Sequence, residues 1–254
     1  VTDGANCAPI SKSITVAPPN EMTLTTVVDP VLCNGENSGR ATVSVVGGFP
    51  DYNIQWSDSL GQTGTVANDL PAGVYDVVVT DSVGCSTTTS VEISEPADPV
   101  SIDIVVQRNV SCKGGEDGYV AYSGSGGVRP YTYQLNSDGS TSDTTLSGLK
   151  AGFYTILVKD ANGCTSSVVF EITEPEFALD LNEDITPVAC FGENSGSVTL
   201  SAHGGTPAYS YSQDAVTFGL DSVFTDLVAG TYWFYVKDAN GCTATRPITI
   251  DPLT

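Results

Sequence analysis

The chain of 254 residues carries nine Lys and Arg against thirty Asp and Glu, which gives a formal net charge of -21. Nucleic acids and anionic lipid surfaces are bound through clustered Lys and Arg, so this balance argues against both classes of partner. The apolar fraction of 40% is enough for folded cores. No run approaches the ~18 apolar residues of a membrane helix.

A set of motifs recurs three times along the chain at fixed spacing. Each copy opens with the pattern C-x-G-x-x-x-G, which begins at Cys33, Cys112 and Cys190. Each copy closes with the pattern D-x-x-G-C, and its cysteine follows the first one by 52 residues, at Cys85, Cys164 and Cys242. The segment around Cys7 matches the closing part of a further copy. We therefore predict a fragment of a longer repeat protein, with a repeat tail at 1–19 and three modules at 20–97, 98–176 and 177–254.

Each copy is predicted to consist of short β-strands. In the first copy, β-branched and aromatic residues cluster between Gly, Pro, Asp and Asn in four segments, Thr42–Val46, Tyr52–Trp56, Val74–Thr80 and Val91–Ile93. Turn signals every eight to twelve residues predict about six or seven strands per copy. No stretch carries a sustained helical stripe. The predicted fold class is therefore all-β, with tandem immunoglobulin-like β-sandwich modules arranged as an extended rod of about 100 Å.

Two short motifs predict local structure within each copy. The pattern L-x-A-G-x-Y, at Leu70–Tyr75 in the first copy, directly precedes a strand. Its tyrosine resembles the tyrosine corner of immunoglobulin-like sandwiches, whose hydroxyl bonds to upstream backbone. The sequence D-A-N-G of the second and third copies predicts a hairpin between the last two strands.

The combined pattern resembles the SprB repeat. It reads C-x-G-x-x-x-G, then G-G-x-P-x-Y, then L-x-A-G-x-Y-x-V-x-V-x-D-x-x-G-C, and it covers essentially the whole chain. The resemblance implies a very large cell-surface adhesin of gliding and other Bacteroidetes, exported by the type IX route to the exterior of the outer membrane. In gliding species such proteins are moved along the cell surface. The implied partners are neighbouring repeats of the same chain, with surface polysaccharide or the motility machinery as further candidates.

A catalytic role finds no support in these residues. The single histidine, His203, is matched by Val46 and Ser125 in the other copies. A catalytic base of a Ser-His or Cys-His pair would not usually be confined to one copy of a structural repeat, and zinc sites need closer Cys and His spacing. We expect a non-enzymatic protein without a cofactor, and we interpret His203 as a surface or loop-packing residue.

Calcium is the metal that the turns could hold. Oxygen-bearing side chains cluster at 35–38, 115–117 and 192–194, and at Asp81, Asp160 and Asp238. Ca²⁺ takes six to eight oxygen ligands, and the turns lack the dense D-x-D-x-D-G pattern. Asp, Asn and Gly are ordinary hairpin residues. We expect no specific metal site, and calcium binding stays open.

Aromatic residues permit a sugar-stacking platform or a packed core. The candidates are Tyr52, Tyr131, Tyr209, Trp56 and Trp233. Their alternating strand positions favour the core.

Two functions are compatible with the sequence. The first is a stalk of spacer repeats without a site. The second is a glycan- or protein-binding module in the third copy, with its divergent loop Asp214–Ser222. The constant spacing favours spacers.

The cysteines indicate an oxidising, extracellular setting. We favour pairing within copies, because closing a loop of about 53 residues constrains the unfolded chain by ~4 kcal/mol. The favoured bonds are Cys33–Cys85, Cys112–Cys164 and Cys190–Cys242.

Strand counting raises a difficulty for this pairing. In a seven-strand sandwich the two cysteines of a copy would be ~20 Å apart, and a disulfide tolerates at most ~7 Å between Cα atoms. Two alternatives therefore stay open. One joins Cys33 to Cys164 and Cys112 to Cys242 across module junctions, and the other is sequential, such as Cys85–Cys112.

Overall fold

The computed structural model describes residues 12–14, 20–136, 139–190 and 192–252. The predicted repeat tail at 1–19, which includes Cys7, therefore lies outside the described residues except for 12–14. Within the described residues, each of the three predicted modules contains six β-strands. No helix among these residues is long and apolar enough to cross a membrane.

The strands have nearly the same bounds in each repeat. Those of the first repeat are β1 Thr23–Asp29, β2 Gly39–Val46, β3 Asn53–Trp56, β4 Val66–Leu70, β5 Gly73–Thr80 and β6 Ser86–Ile93. Those of the second are β7 Ser101–Arg108, β8 Gly118–Ser125, β9 Thr132–Leu135, β10 Thr145–Leu149, β11 Gly152–Lys159 and β12 Thr165–Ile172. Those of the third are β13 Asp180–Thr186, β14 Gly196–His203, β15 Ser210–Ser212, β16 Val223–Leu227, β17 Gly230–Lys237 and β18 Thr243–Ile250.

Each repeat pairs its strands into two antiparallel sheets of three. In the first repeat the orders are β1-β2-β4 and β3-β5-β6, and the other repeats follow the same plan. This is the strand arrangement of an immunoglobulin-like sandwich without its fourth strand. The all-β, immunoglobulin-like fold is therefore confirmed, and the four strand segments predicted in the first copy correspond to β2, β3, β5 and β6.

The core lies between the two sheets and is built from alternating positions. On β5, Val77 and Val79 are fully buried, while the neighbours on either side face outward. Trp56 closes one side of this core and is 2% exposed. The second glycine of C-x-G-x-x-x-G is required by packing, because a Cβ on Gly39 would press against the carbonyl of Leu70.

Hydrogen bonds place the two cysteine-bearing turns of a repeat, one between β1 and β2 and one after β5, at opposite ends of its sandwich. Val31, at the start of the turn between β1 and β2, donates to the carbonyl of Ser94, just after β6, at 2.9 Å. Phe49, just after β2, donates to the carboxylate of Asp81, just after β5, at 3.2 Å. The turn before β2 thus lies where the chain leaves the repeat, and the turn after β5 lies at the other end. The eight residues of β5 separate them by about 26 Å.

The chain divides into two compact units, Val1–Pro99 and Val100–Thr254. The first unit holds the first repeat. The second unit holds the second and third repeats together, and the junction described below lies within it.

Candidate functional site

A disulfide joins the second repeat to the third. Cys112 bonds Cys242 across 130 residues of sequence, with 5.7 Å between their Cα atoms. Cys33 and Cys164 are disulfide-bonded as well. Among the described cysteines, Cys85 and Cys190 carry free, exposed thiols.

The favoured pairing within copies is therefore wrong. The structure has neither Cys33–Cys85, nor Cys112–Cys164, nor Cys190–Cys242, and it also rules out the sequential pair Cys85–Cys112. The reason is the separation of the two turns, since each copy carries its cysteines at opposite ends of one sandwich. The alternative across module junctions is confirmed for Cys112–Cys242. Its second bond, Cys33–Cys164, stays a prediction.

The turn that carries Cys112 lies at the end where the chain leaves the second repeat. Gly114 donates to the Glu174 carboxylate at 2.6 Å, and Lys113 forms an ion pair with the same carboxylate at 2.6 Å. Glu174 follows β12 directly, at the start of the link to the third repeat. These hydrogen bonds and the cation hold the pKa of Glu174 below its ordinary value. The turn is thereby fixed against the linker.

The turn that carries Cys242 lies at the end where the chain enters the third repeat. The side-chain amide of Asn240 donates to the backbone carbonyl of Ser111 at 3.0 Å, so the third repeat contacts the second beside the disulfide. The same amide also donates to Thr206 Oγ1 at 3.0 Å. Cys242 is only 9% exposed. The junction therefore combines one covalent bond with a polar contact between two turns.

Each closing turn is organised by its buried aspartate. Asp238 accepts from the backbone of Cys242 at 2.8 Å and from Thr206 at 2.8 Å. Asp81 and Asp160 accept the equivalent hydrogen bonds in their own repeats. Burial raises the pKa of Asp81, but the backbone donors outweigh it and leave that pKa below its ordinary value. The carboxylates that were candidate calcium ligands thus bind backbone N–H groups.

The opening turns use a side-chain oxygen in the same way. Asp117 accepts from the backbone of Ser111 at 2.9 Å, and hydrogen bonding from Ser111 holds the pKa of Asp117 below its ordinary value. The hydroxyls of Ser38 and Ser195 take this place in the other repeats. Among the described residues, no group of three or more His, Cys, Asp or Glu is placed to hold a metal ion.

Two tyrosines per repeat anchor backbone turns. Tyr75 donates to the carbonyl of Pro71 at 2.9 Å, and its equivalents Tyr154 and Tyr232 repeat the bond at 3.0 Å, which confirms the predicted tyrosine corner. The half-buried Tyr209 donates to Gly204 at 2.8 Å. Gly204 has a φ of 69° and lies so close to the carbonyl of Ala178 that a side chain would collide with it. These contacts explain the repeated Gly-Gly and Tyr positions as structural.

The two tryptophans have different environments. Trp56 is buried and donates from its indole nitrogen to Gly64 at 2.9 Å, as the core interpretation predicts. Trp233 is 53% exposed, so the core interpretation is wrong for it. Its side chain lies on the outer face of the sheet, because the next residue on β17, Phe234, fills the core. The sequence carried a signal for this difference, since Trp233 occupies a position that is Asp76 in the first copy.

A cleft of about 880 Å³ opens beside Trp233 in the third repeat. Its lining comes from β15, β16 and β17 and from the divergent loop that follows β15, and it includes Gln213, Asp214, Asp221 and Tyr235. His203 lies on the surface elsewhere in this repeat, half exposed and 4.0 Å from the carboxylate of Asp180. It takes no part in the cleft, which agrees with its interpretation as a surface residue.

The SprB repeat model matches residues 25–61, 104–140 and 182–218. The chain contains three SprB repeats. Each match begins within the first strand of a repeat and ends beyond its third strand. SprB repeats and disulfides together indicate an extracellular or cell-surface repeat module of the adhesin type. No curated protein matches the chain in sequence.

Solved structures of tandem-domain proteins resemble the three SprB repeats. The N-terminal domains of the highly immunogenic outer capsid protein of bacteriophage RB49 are 15% identical, with 92% of this chain and 100% of that one covered and a TM-score of 0.43. Invasin, a bacterial integrin-binding protein, is 15% identical over 91% of this chain and 60% of its own, with a TM-score of 0.35. Immunoglobulin domains 1–5 of Sidekick-1 are 10% identical over 91% and 59%, with a TM-score of 0.31.

Proposed function

We propose that the chain is a set of non-catalytic spacer repeats in the stalk of a large secreted cell-surface adhesin. The observation that carries this proposal is the Cys112–Cys242 bond, which links one repeat covalently to the next. A disulfide that stabilised a single domain would close within that domain. A bond at the junction instead limits how far neighbouring repeats can separate under load.

Further features of the repeats support a spacer role. The buried turn aspartates Asp81, Asp160 and Asp238 each hold the backbone of their own repeat. The charge of -21 keeps closely spaced copies soluble and apart. We propose an extended arrangement of the repeats, about 100 Å long for three sandwiches. Small-angle scattering on the fragment tests this, and a compact, near-spherical particle would contradict it.

The resemblance to gliding-motility adhesins extends the proposal to the parent protein. We propose that it is exported by the type IX route and displayed outside the outer membrane. Antibodies raised against the repeats should label intact, unpermeabilised cells. Labelling that requires permeabilised cells would contradict surface display.

Single-molecule stretching tests the load-bearing role directly. In the oxidised chain the Cys112–Cys242 bond prevents the 130 residues that it spans from being stretched out. Fully extended, these residues would add about 450 Å to the length of the chain. Complete unfolding under reducing conditions should therefore give a contour length at least that much greater than unfolding of the oxidised chain. Equal contour lengths would show that no bond spans the junction. The Cys190→Ser variant is the matched control, because the thiol of Cys190 is free in this structure. Its contour lengths under oxidising and reducing conditions should equal those of the unaltered chain.

A second function is the binding of a glycan or a protein by the third repeat. One specific observation favours it, the exposed Trp233 beside the cleft of that repeat. A binding site there is compatible with a stalk, because it lies on a sheet face and leaves the junction turns untouched.

A further inference from the structure

The outer face of β17 carries an aromatic pair that the other repeats lack. Trp233 and Tyr235 alternate with the fully buried Phe234 and Val236, so both point away from the core. The equivalent residues are Asp76 and Val78 in the first repeat and Thr155 and Leu157 in the second. The fold is the same in all three repeats, so the pair is not needed to build a sandwich.

A structured loop forms the wall of the cleft beside this pair. The backbones of Tyr211 and Gly219 exchange two hydrogen bonds, of 2.8 and 2.9 Å, which close the loop at its base. Inside the loop, Asp214 Oδ1 accepts from the backbone of Val216 at 2.9 Å and Thr217 at 2.8 Å. The hydroxyl of Ser212, which is 2% exposed, also donates to Oδ1, at 2.8 Å. The wall is therefore held in place by hydrogen bonds before any ligand binds.

The loop also presents polar groups to the cleft. Asp214 Oδ1 accepts the hydrogen bonds from Ser212, Val216 and Thr217, and the Asp214 carboxylate also forms part of the lining of the cleft. The backbone donors of Thr217 and Val216 hold the pKa of Asp214 far below its ordinary value, so the carboxylate stays charged at neutral pH. Gln213 replaces the core residue Trp56 of the first repeat and offers an amide that both donates and accepts.

We propose that this cleft binds a neutral saccharide, with Trp233 as the stacking platform and Asp214 and Gln213 as hydrogen-bonding partners of the sugar hydroxyls. A pyranose ring has one face of C–H groups that suits a flat indole and a rim of hydroxyls that suits carboxylate and amide groups. Asp214 and Asp221 in the cleft, together with the charge of -21, disfavour acidic sugars.

The dimensions of the cleft fit this class of ligand. Its volume of about 880 Å³ lies within the range of small-ligand sites. A protein is a less suitable ligand, because a stable protein interface buries about 1,200 Å² or more of surface and a single cleft on one sheet face offers less. The site therefore accommodates a few sugar rings of a longer chain.

Titration of the 254-residue chain with cellohexaose, laminarihexaose and chitohexaose, each followed by calorimetry and tryptophan fluorescence, tests the proposal. The chain has two tryptophans, so a Trp56→Phe variant makes Trp233 the sole reporter. We expect at least one hexasaccharide to bind and to shift the Trp233 emission. Trp233→Ala should weaken that binding roughly tenfold or more, and Trp233→Phe should weaken it less.

A matched control removes an exposed aromatic residue from the equivalent strand of the second repeat. Phe153 is 72% exposed on β11, and Phe153→Ala should leave the affinity unchanged. The proposal is overturned if none of the three hexasaccharides binds at millimolar concentration. It is equally overturned if Trp233→Ala binds as tightly as the unaltered chain. Because Trp233 is exposed, its replacement should preserve the fold, and circular dichroism of each variant checks this.

Discussion

The hydroxyl of Tyr75 donates to the carbonyl oxygen of Pro71, four residues earlier and 2.9 Å away. This bond ties the start of β5 to the corner that follows β4, where the chain crosses from one sheet to the other. Removing the hydroxyl by Tyr75→Phe should destabilise the first repeat by about 1 kcal/mol, the usual net value of one hydrogen bond. Urea denaturation of the variant measures this.

A control for this prediction is available in the second repeat. Tyr119 stacks beneath the guanidinium of Arg108, and among the described contacts its hydroxyl makes no hydrogen bond. Tyr119→Phe should therefore leave the unfolding free energy unchanged. Equal losses in Tyr75→Phe and Tyr119→Phe would show that the corner bond has no special role.

The carboxylate of Asp81 should make the first repeat sensitive to acid. Because its folded pKa lies below the ordinary value, its contribution to stability is complete above about pH 4 and is lost as the pH falls through the folded pKa. Asp81→Asn should lower the melting temperature by several degrees at pH 7. The difference from the unaltered chain should shrink below about pH 4. An unchanging difference down to pH 2 would contradict this assignment.

Asp69→Asn is the matched control for that series. Asp69 is exposed on β4 and has a φ of 54°, which asparagine also tolerates. Its replacement removes the same charge without removing backbone hydrogen bonds of a turn. Melting temperatures of Asp69→Asn should therefore follow the unaltered chain at every pH.

Loss of the junction disulfide should destabilise the unit formed by the second and third repeats. Cys112→Ser removes the constraint on 130 residues of unfolded chain, and we expect a loss of about 2–4 kcal/mol in denaturant unfolding. Cys190→Ser, at the equivalent position of the third repeat, alters a free and exposed thiol and should cost nothing measurable. Equal stability of the two variants would contradict a stabilising junction bond.

Calcium removal should leave the melting temperature unchanged. The turn carboxylates Asp81, Asp160 and Asp238 already accept backbone N–H groups in the structure. A cation would have to compete with those donors for the same oxygens. Scanning calorimetry with added calcium and with a chelator checks this, and a shift of several degrees between them would show a bound ion.

The strands that the sequence predicts are those with a buried, alternating face. β2 and β5 bury every second side chain, and their β-branched residues form a clear pattern. β1 and β4 are not predicted. β1 is exposed at most of its positions, and β4 contains Asn68 and Asp69. Such edge strands are fixed by pairing to β2, a tertiary interaction that leaves little trace in local sequence.

Counting strands is not sufficient to place the cysteines. Four strands separate Cys33 from Cys85, and an even number would bring them to one end if every connection reversed the chain. The connection from β3 to β4 breaks this rule. Residues 57–65 run back along the sandwich without forming a strand, held to it by the isolated bridge Gln55–Thr63. This irregular crossing moves Cys85 to the opposite end from Cys33.

The candidate cleft is only partly predictable. The divergence of the loop Asp214–Ser222 is evident from comparing the copies, and it marks the third repeat as unusual. The exposure of Trp233 is not evident, because a tryptophan on a strand is most often buried. Trp233 is exposed because the adjacent Phe234 faces the core. Predicting this exposure requires knowing which face of β17 meets the core.

Peptide mapping of the alkylated, non-reduced chain tests most directly whether neighbouring repeats are linked through their turns. We expect a linked peptide pair that contains Cys112 and Cys242, with Cys85 and Cys190 alkylated. By repeat equivalence we also expect a linked pair that contains Cys33 and Cys164. A linked pair that contains Cys112 and Cys164, or Cys190 and Cys242, would place the disulfides within repeats and show that the turns of neighbouring repeats are not joined.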